Sequence, residues 1–65
     1  MIPEPGTRWW STEGKKFHVI HRIELEGKIW IHYIREDKEN SQEYSCYEES
    51  FLSRFTPLPN EIIPY

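Results

Sequence analysis

One stretch constrains this chain more than any other: Lys15 to Arg35, KKFHVIHRIELEGKIWIHYIR. Phe17, Val19, His21 and Ile23 alternate with His18, Ile20, Arg22 and Glu24. Beyond Gly27, Ile29, Ile31 and Tyr33 alternate with Trp30, His32 and Ile34. Period-two alternation of β-branched and aromatic residues marks two strands, and the glycine between them marks the turn of a hairpin. A three-residue loop, Leu25-Glu26-Gly27, places Gly27 where positive φ is needed. Glu24 then faces Lys28, Ile23 faces Ile29, His21 faces Ile31 and Val19 faces Tyr33. This register gathers the odd-numbered residues on one face, apolar except for His21. A two-residue loop, Glu26-Gly27, pairs Ile23 with Trp30 and mixes the faces, so the pattern favours the longer loop. The opposite face carries His18, Ile20, Arg22, Trp30, His32 and Ile34, with Arg22 opposite Trp30 at cation–π range. Such a face is too apolar for plain solvent, so either the chain or a partner covers it.

With 65 residues there is room for one domain and a small core. Three Trp, four Tyr and three Phe make that core aromatic-rich. The single Cys46 excludes an intramolecular disulfide and a multi-cysteine metal site. No apolar run approaches the roughly 20 residues of a membrane span, and no signal-type segment follows Met1. The expectation is a soluble protein in a reducing, cytoplasmic compartment, with no membrane partner. Charge is uneven. Residues 1–35 hold six basic and four acidic groups, a net of +2, and residues 36–65 hold two basic and seven acidic groups, a net of −5.

Met1 to Pro5 is extended by its two prolines, and Gly6-Thr7-Arg8-Trp9-Trp10 reads as a short first strand. Adjacent Trp residues point to opposite faces, so one of Trp9 and Trp10 is core and the other lies on a rim. Ser11-Thr12-Glu13-Gly14 is turn chemistry. Glu36 to Ser41, polar throughout, reads as an exposed loop. Gln42 to Tyr47 reads as a further strand, Tyr44 and Cys46 on one side and Glu43, Ser45 and Tyr47 on the other. The lone Cys46 fits a small buried hydrophobe. Glu48 to Phe55 has the composition of one or two helical turns, with Phe51, Leu52 and Phe55 docking. Its glutamates lead and Arg54 trails, as the helix dipole prefers. Thr56-Pro57-Leu58-Pro59 ends the helix and supplies a short edge strand. The apolar tail, with Ile62, Ile63 and Tyr65, lies across the second hairpin face or across a neighbouring molecule.

This order of elements predicts a mainly β protein: a small SH3-like, five-stranded antiparallel barrel with one helical turn before the last strand. Residues 6–58 form the barrel core of a single domain, 1–65, and residues 1–5 and 59–65 are extended termini. Gly6-x-x-Trp9, Gly14-x-x-Phe17-x-Val19, Tyr33, Glu43-Tyr44-Ser45 and Phe51-Leu52-x-Arg54-Phe55-x-Pro57 together resemble a group of small, uncharacterised phage- and prophage-encoded proteins. The resemblance spans about residues 6–57. It implies a bacterial or phage setting and carries over no functional residue.

Chemistry is sparse. His18 and His32 share a face, but no further ligand is placed to complete a metal site. His21, on the apolar face, reads as a hydrogen-bonded core histidine rather than a base. Ser45 and Cys46 stand mid-strand without a partnering base, Glu48 and Glu49 read as a helix start, and the glycines are scattered turn glycines. The expectation is a non-enzymatic module without cofactor or metal. Its aromatics exceed what a small core hides, and Trp and Tyr dominate interface energetics. A host or phage protein is therefore the expected partner, bound through Trp30, Arg22, His32, His18, Trp10 and Tyr47, by a monomer or weak homodimer. In one version the acidic stretch Glu36–Glu49 imitates phosphate charge and blocks a nucleic-acid-binding protein. The alternative is single-stranded nucleic acid on the basic, aromatic hairpin; the acidic net charge opposes it.

Overall fold

The computed structural model describes residues 2–36 and 42–58. Strands β1 (Arg8–Ser11), β2 (Lys16–Leu25), β3 (Lys28–Arg35) and β4 (Tyr44–Tyr47) precede helix α1 (Glu48–Arg54), and strand β5 (Phe55–Pro57) ends the series. All pairings are antiparallel. The five strands form one sheet in the order β4-β3-β2-β1-β5. The sheet is open: β4 and β5 are its edges, where a barrel was expected to close. The expected loop at 37–41, the tail residues Ile62, Ile63 and Tyr65, and the strand end at Pro59 lie outside the described residues.

The hairpin corrects the expected register. Leu25 pairs with Lys28 across a two-residue loop, with Glu26 at φ 52° and Gly27 at φ 80°. Positive φ at both central residues is the type I′ turn, whose twist matches that of the flanking strands. Near the turn Ile23 therefore faces Trp30, Arg22 faces Ile31 and His21 faces His32. The register then shifts between Val19 and His21, so that Val19 faces Tyr33 as expected and Phe17 faces Arg35. One extra residue in β2, a β-bulge, reconciles two halves that no single loop length aligns. Its consequence is an exchange of faces. Phe17 and Val19 are buried, whereas His21 and Ile23, expected beside them, are exposed. His21 is thus not a core histidine.

The core is Trp9, Phe17, Val19, Ile31, Tyr33, Phe51 and Phe55, with Ile29, Tyr44 and Cys46 packed against it. Trp9 is the buried member of its pair, and its indole Nε1 donates to the Thr7 hydroxyl at 2.9 Å. Phe51 makes the central contacts: edge-on to Trp9 at 5.0 Å, stacked on Phe55 at 4.4 Å and edge-on to Tyr33 at 5.3 Å. Helix α1 has seven residues, too few to be helical alone in water. Packing of Phe51 holds it against the sheet. Glu48 and Glu49 lie in its first turn and Arg54 in its last, the expected charge order. The helix stops at Arg54, and Phe55 is already extended at φ −120°, ψ 150°. Leu52, expected to dock, is 44% exposed. Phe55 enters the core as a strand residue, so the helical stripe shared with Leu52 does not form.

Two stability outcomes follow from this packing. Phe51→Ala loses about 3–5 kcal/mol, enough to unfold much of the population, while Leu52→Ala stays within about 1 kcal/mol; urea unfolding followed by circular dichroism reads both. Glu26→Asn relieves a glutamate held at positive φ, and Asn-Gly is the favoured type I′ pair, so the urea midpoint rises.

Candidate functional site

Alternation across the bulged hairpin assembles one outer surface from three strands. Leu25 and Lys28, Ile23 and Trp30, and His21 and His32 are successive cross-strand pairs of β2 and β3. On the other side of β3, Trp30 faces Tyr47 and His32 faces Ser45 of β4. The rings of Trp30 and Tyr47 lie 4.4 Å apart and tilted by 52°. Lys28 Nζ sits 5.6 Å from the centre of the Tyr47 ring, a cation–π contact that closes the hairpin end of the patch. Ile23, Leu25 and Tyr47 are 41%, 57% and 42% exposed. Beside the patch, a recess of about 190 Å³ opens between Lys28, Ile29, Tyr47 and the start of α1.

The six residues expected to bind a partner do not share one place. Trp30, Tyr47 and His32 come together on the outer surface. Arg22 does not join them. It faces Ile31 rather than Trp30, and its guanidinium holds the Glu48 carboxylate from Nε and Nη2, both at 3.0 Å. The expected cation–π pair with Trp30 is therefore replaced by an ion pair that ties β2 to α1. His18 pairs with Ile34, and its Nδ1 is 3.8 Å from Glu36. Trp10 stands on β1 opposite Lys16, whose ammonium lies 5.2 Å from the indole centre. Ile23 and Leu25 were missed because the three-residue loop put Ile23 on the core face. Glu26-Gly27, an acidic residue before glycine between two alternating runs, was the available signal for the tighter turn.

Among the described carboxylates of the acidic half, Glu36, Glu43 and Glu48 each meet a basic side chain. Glu36 accepts from Arg8 Nε at 2.7 Å and Arg8 Nη2 at 2.8 Å, a two-pronged pair between β1 and the end of β3. Glu43 lies 2.9 Å from His32 Nδ1. Hydrogen bonding from Arg8 holds the Glu36 carboxyl below the ordinary carboxylate range, against a smaller opposing effect of burial. Asp37 and Glu39 lie outside the described residues. Among those residues no group of three or more His, Cys, Asp or Glu is arranged to hold a metal ion, and no helix is long and apolar enough to cross a membrane.

Comparison with protein-family models, curated proteins and solved structures returned no match.

The lowered Glu36 value has a pH signature. The folded state keeps this carboxylate ionised more readily than the unfolded chain does. Its contribution is complete above the ordinary carboxyl range and fades as pH falls through the lowered value. Glu36→Gln costs about 0.5–1 kcal/mol at neutral pH. Urea unfolding at steps from about pH 7 to about pH 3 shows the gap between variant and parent closing across the acid limb.

Proposed function

We propose that this domain is a small non-enzymatic interaction module that binds another protein through the outer surface of β2, β3 and β4. One observation carries the reading: Ile23, Leu25, Trp30 and Tyr47 are large apolar side chains brought side by side on the open face of a 65-residue chain. Contiguous apolar surface rimmed by polar groups marks interaction sites, and an aromatic pair is the usual anchor. The partner that fits offers an aliphatic or aromatic side chain to the Trp30–Tyr47 pair and a negative group near Lys28.

Adjacent first and last strands, with a helical turn before the last, support kinship with SH3-like domains. The phage-like sequence pattern suggests a bacterial cytoplasm and a host or phage partner. The acidic-inhibitor version is less favoured, because Glu36, Glu43 and Glu48 each face a basic side chain of the same domain. The nucleic-acid alternative is also less favoured, because Arg22 turns to Glu48 and leaves Lys28 as the lysine of the Trp30–Tyr47 cluster.

Trp30→Ala and Tyr47→Ala are expected to abolish capture of a discrete protein from nuclease-treated bacterial lysate, with Leu52→Ala, exposed elsewhere, leaving capture intact. Capture that requires nucleic acid, or that survives both substitutions, refutes the reading. Circular dichroism of each variant confirms that the fold persists.

A further inference from the structure

At the end of the sheet away from the β2–β3 turn lies a second opening, with a cavity of about 340 Å³ between the β1–β2 turn, β3, β4 and the end of α1. That volume is within the ordinary size of a small-ligand site, roughly 300–1,000 Å³. Its wall and floor differ in chemistry. Phe17, Tyr33, Tyr44 and Phe55 supply an aromatic floor, in which Tyr33 and Tyr44 stack at 5.5 Å and 22°. Lys15, Arg35 and Arg54 supply the rim. Among the described residues, the one carboxylate lining the cavity is Glu13, 3.3 Å from Lys15 Nζ.

Arg54 is the most telling of these. Its guanidinium lies 5.5 Å from the centre of the Phe55 ring, over the floor. It reaches the Ser50 carbonyl from Nε and the Tyr33 hydroxyl from Nη2, each at 3.5 Å, and also hydrogen-bonds the Cys46 side chain. A guanidinium has five N–H donors in a planar fork, so this one keeps donors for an incoming oxyanion. Burial pushes the Tyr33 phenol up, and its hydroxyl accepts from Arg54. A fork laid on an aromatic ring recognises a planar oxyanion and stacks against a ring in the same approach.

We propose that this cleft binds an aryl oxyanion, a planar ring bearing a phosphate or carboxylate, with the ring on Tyr44 and the anion held by Arg54 and Lys15. Two sources carry this chemistry: a free small molecule, or a phosphorylated tyrosine of a partner protein. The site is separate from the outer surface built on Trp30.

The probe is phenyl phosphate, titrated into the isotope-labelled protein and followed by amide shifts. Saturable shifts at Thr12, Lys15, Tyr44 and Arg54 are expected. Inorganic phosphate and phenol each bind at least about tenfold more weakly, because each satisfies only half of the site. Arg54→Gln lowers affinity for phenyl phosphate by about tenfold or more, and Arg54→Lys recovers part of it, since a point charge replaces the fork. Trp30→Ala leaves the titration unchanged. A short phosphotyrosine peptide that binds more tightly than phenyl phosphate assigns the source to a protein; equal or weaker binding assigns it to a free ligand. The proposal is overturned if no saturable shift occurs, if inorganic phosphate binds as well as phenyl phosphate, or if Arg54→Gln with unaltered circular dichroism binds as the parent does. Lys15→Gln, in an exposed turn, serves as the second variant should Arg54→Gln fail to fold.

Discussion

Everything in this small sheet depends on one aromatic contact set, the packing of Phe51 among Trp9, Tyr33 and Phe55. An open five-stranded sheet needs a lid for its apolar face. A single short helix provides it, running from the last residue of one edge strand to the first residue of the other. The helix has no side-chain cap at its start and too few residues to stand alone. Its stability is therefore borrowed from the ring cluster beneath it. Conversely, the sheet keeps its core dry only while that helix is seated, so the two parts form one cooperative unit rather than a scaffold and an ornament.

A second layer of organisation is electrostatic. Arg8 with Glu36, Arg22 with Glu48 and His32 with Glu43 join residues far apart in the chain. Each is exposed enough to contribute modestly. Their greater effect is on orientation: Arg22 is drawn toward α1 and away from the outer face, and the acidic half of the chain is drawn toward the basic half.

Much of the architecture was legible because periodicity and turn chemistry are local. The order of strands, the Ser11–Gly14 turn, the shared side of Tyr44 and Cys46, the helix start at Glu48 and the burial of Phe51 all followed from residue order, while the first, fourth and last strands begin or end up to two residues from where the sequence put them. What was not legible was the bulge. Alternation was consistent with a three-residue loop when the whole hairpin was taken as one regular ladder. The extra residue near Ile20 breaks that regularity through contacts with β3 that no local pattern announces. The error moved His21, Arg22 and Ile23 to the wrong faces, and with them half of the candidate surface. Trp30, His32 and Tyr47 survived it, because their placement depends on β3 and β4. The choice between Trp9 and Trp10 likewise needed the helix, which decides which indole has Phe51 to meet.

The side-by-side placement of β1 and β5 has a mechanical meaning. Trp9 faces Pro57 and Ser11 faces Phe55, while the Leu58 amide donates to the Arg8 carbonyl at 3.1 Å. The chain thus enters β1 and leaves β5 at the same end of that pair. Tension applied through the two flanks loads these hydrogen bonds one after another, as in opening a zip, instead of sharing the load across all of them as shear would. A domain tethered on both sides would yield at low force even though its aromatic core resists denaturant. β5 would peel away first, opening the side of the core that holds Phe55 before the β2–β3 hairpin is disturbed.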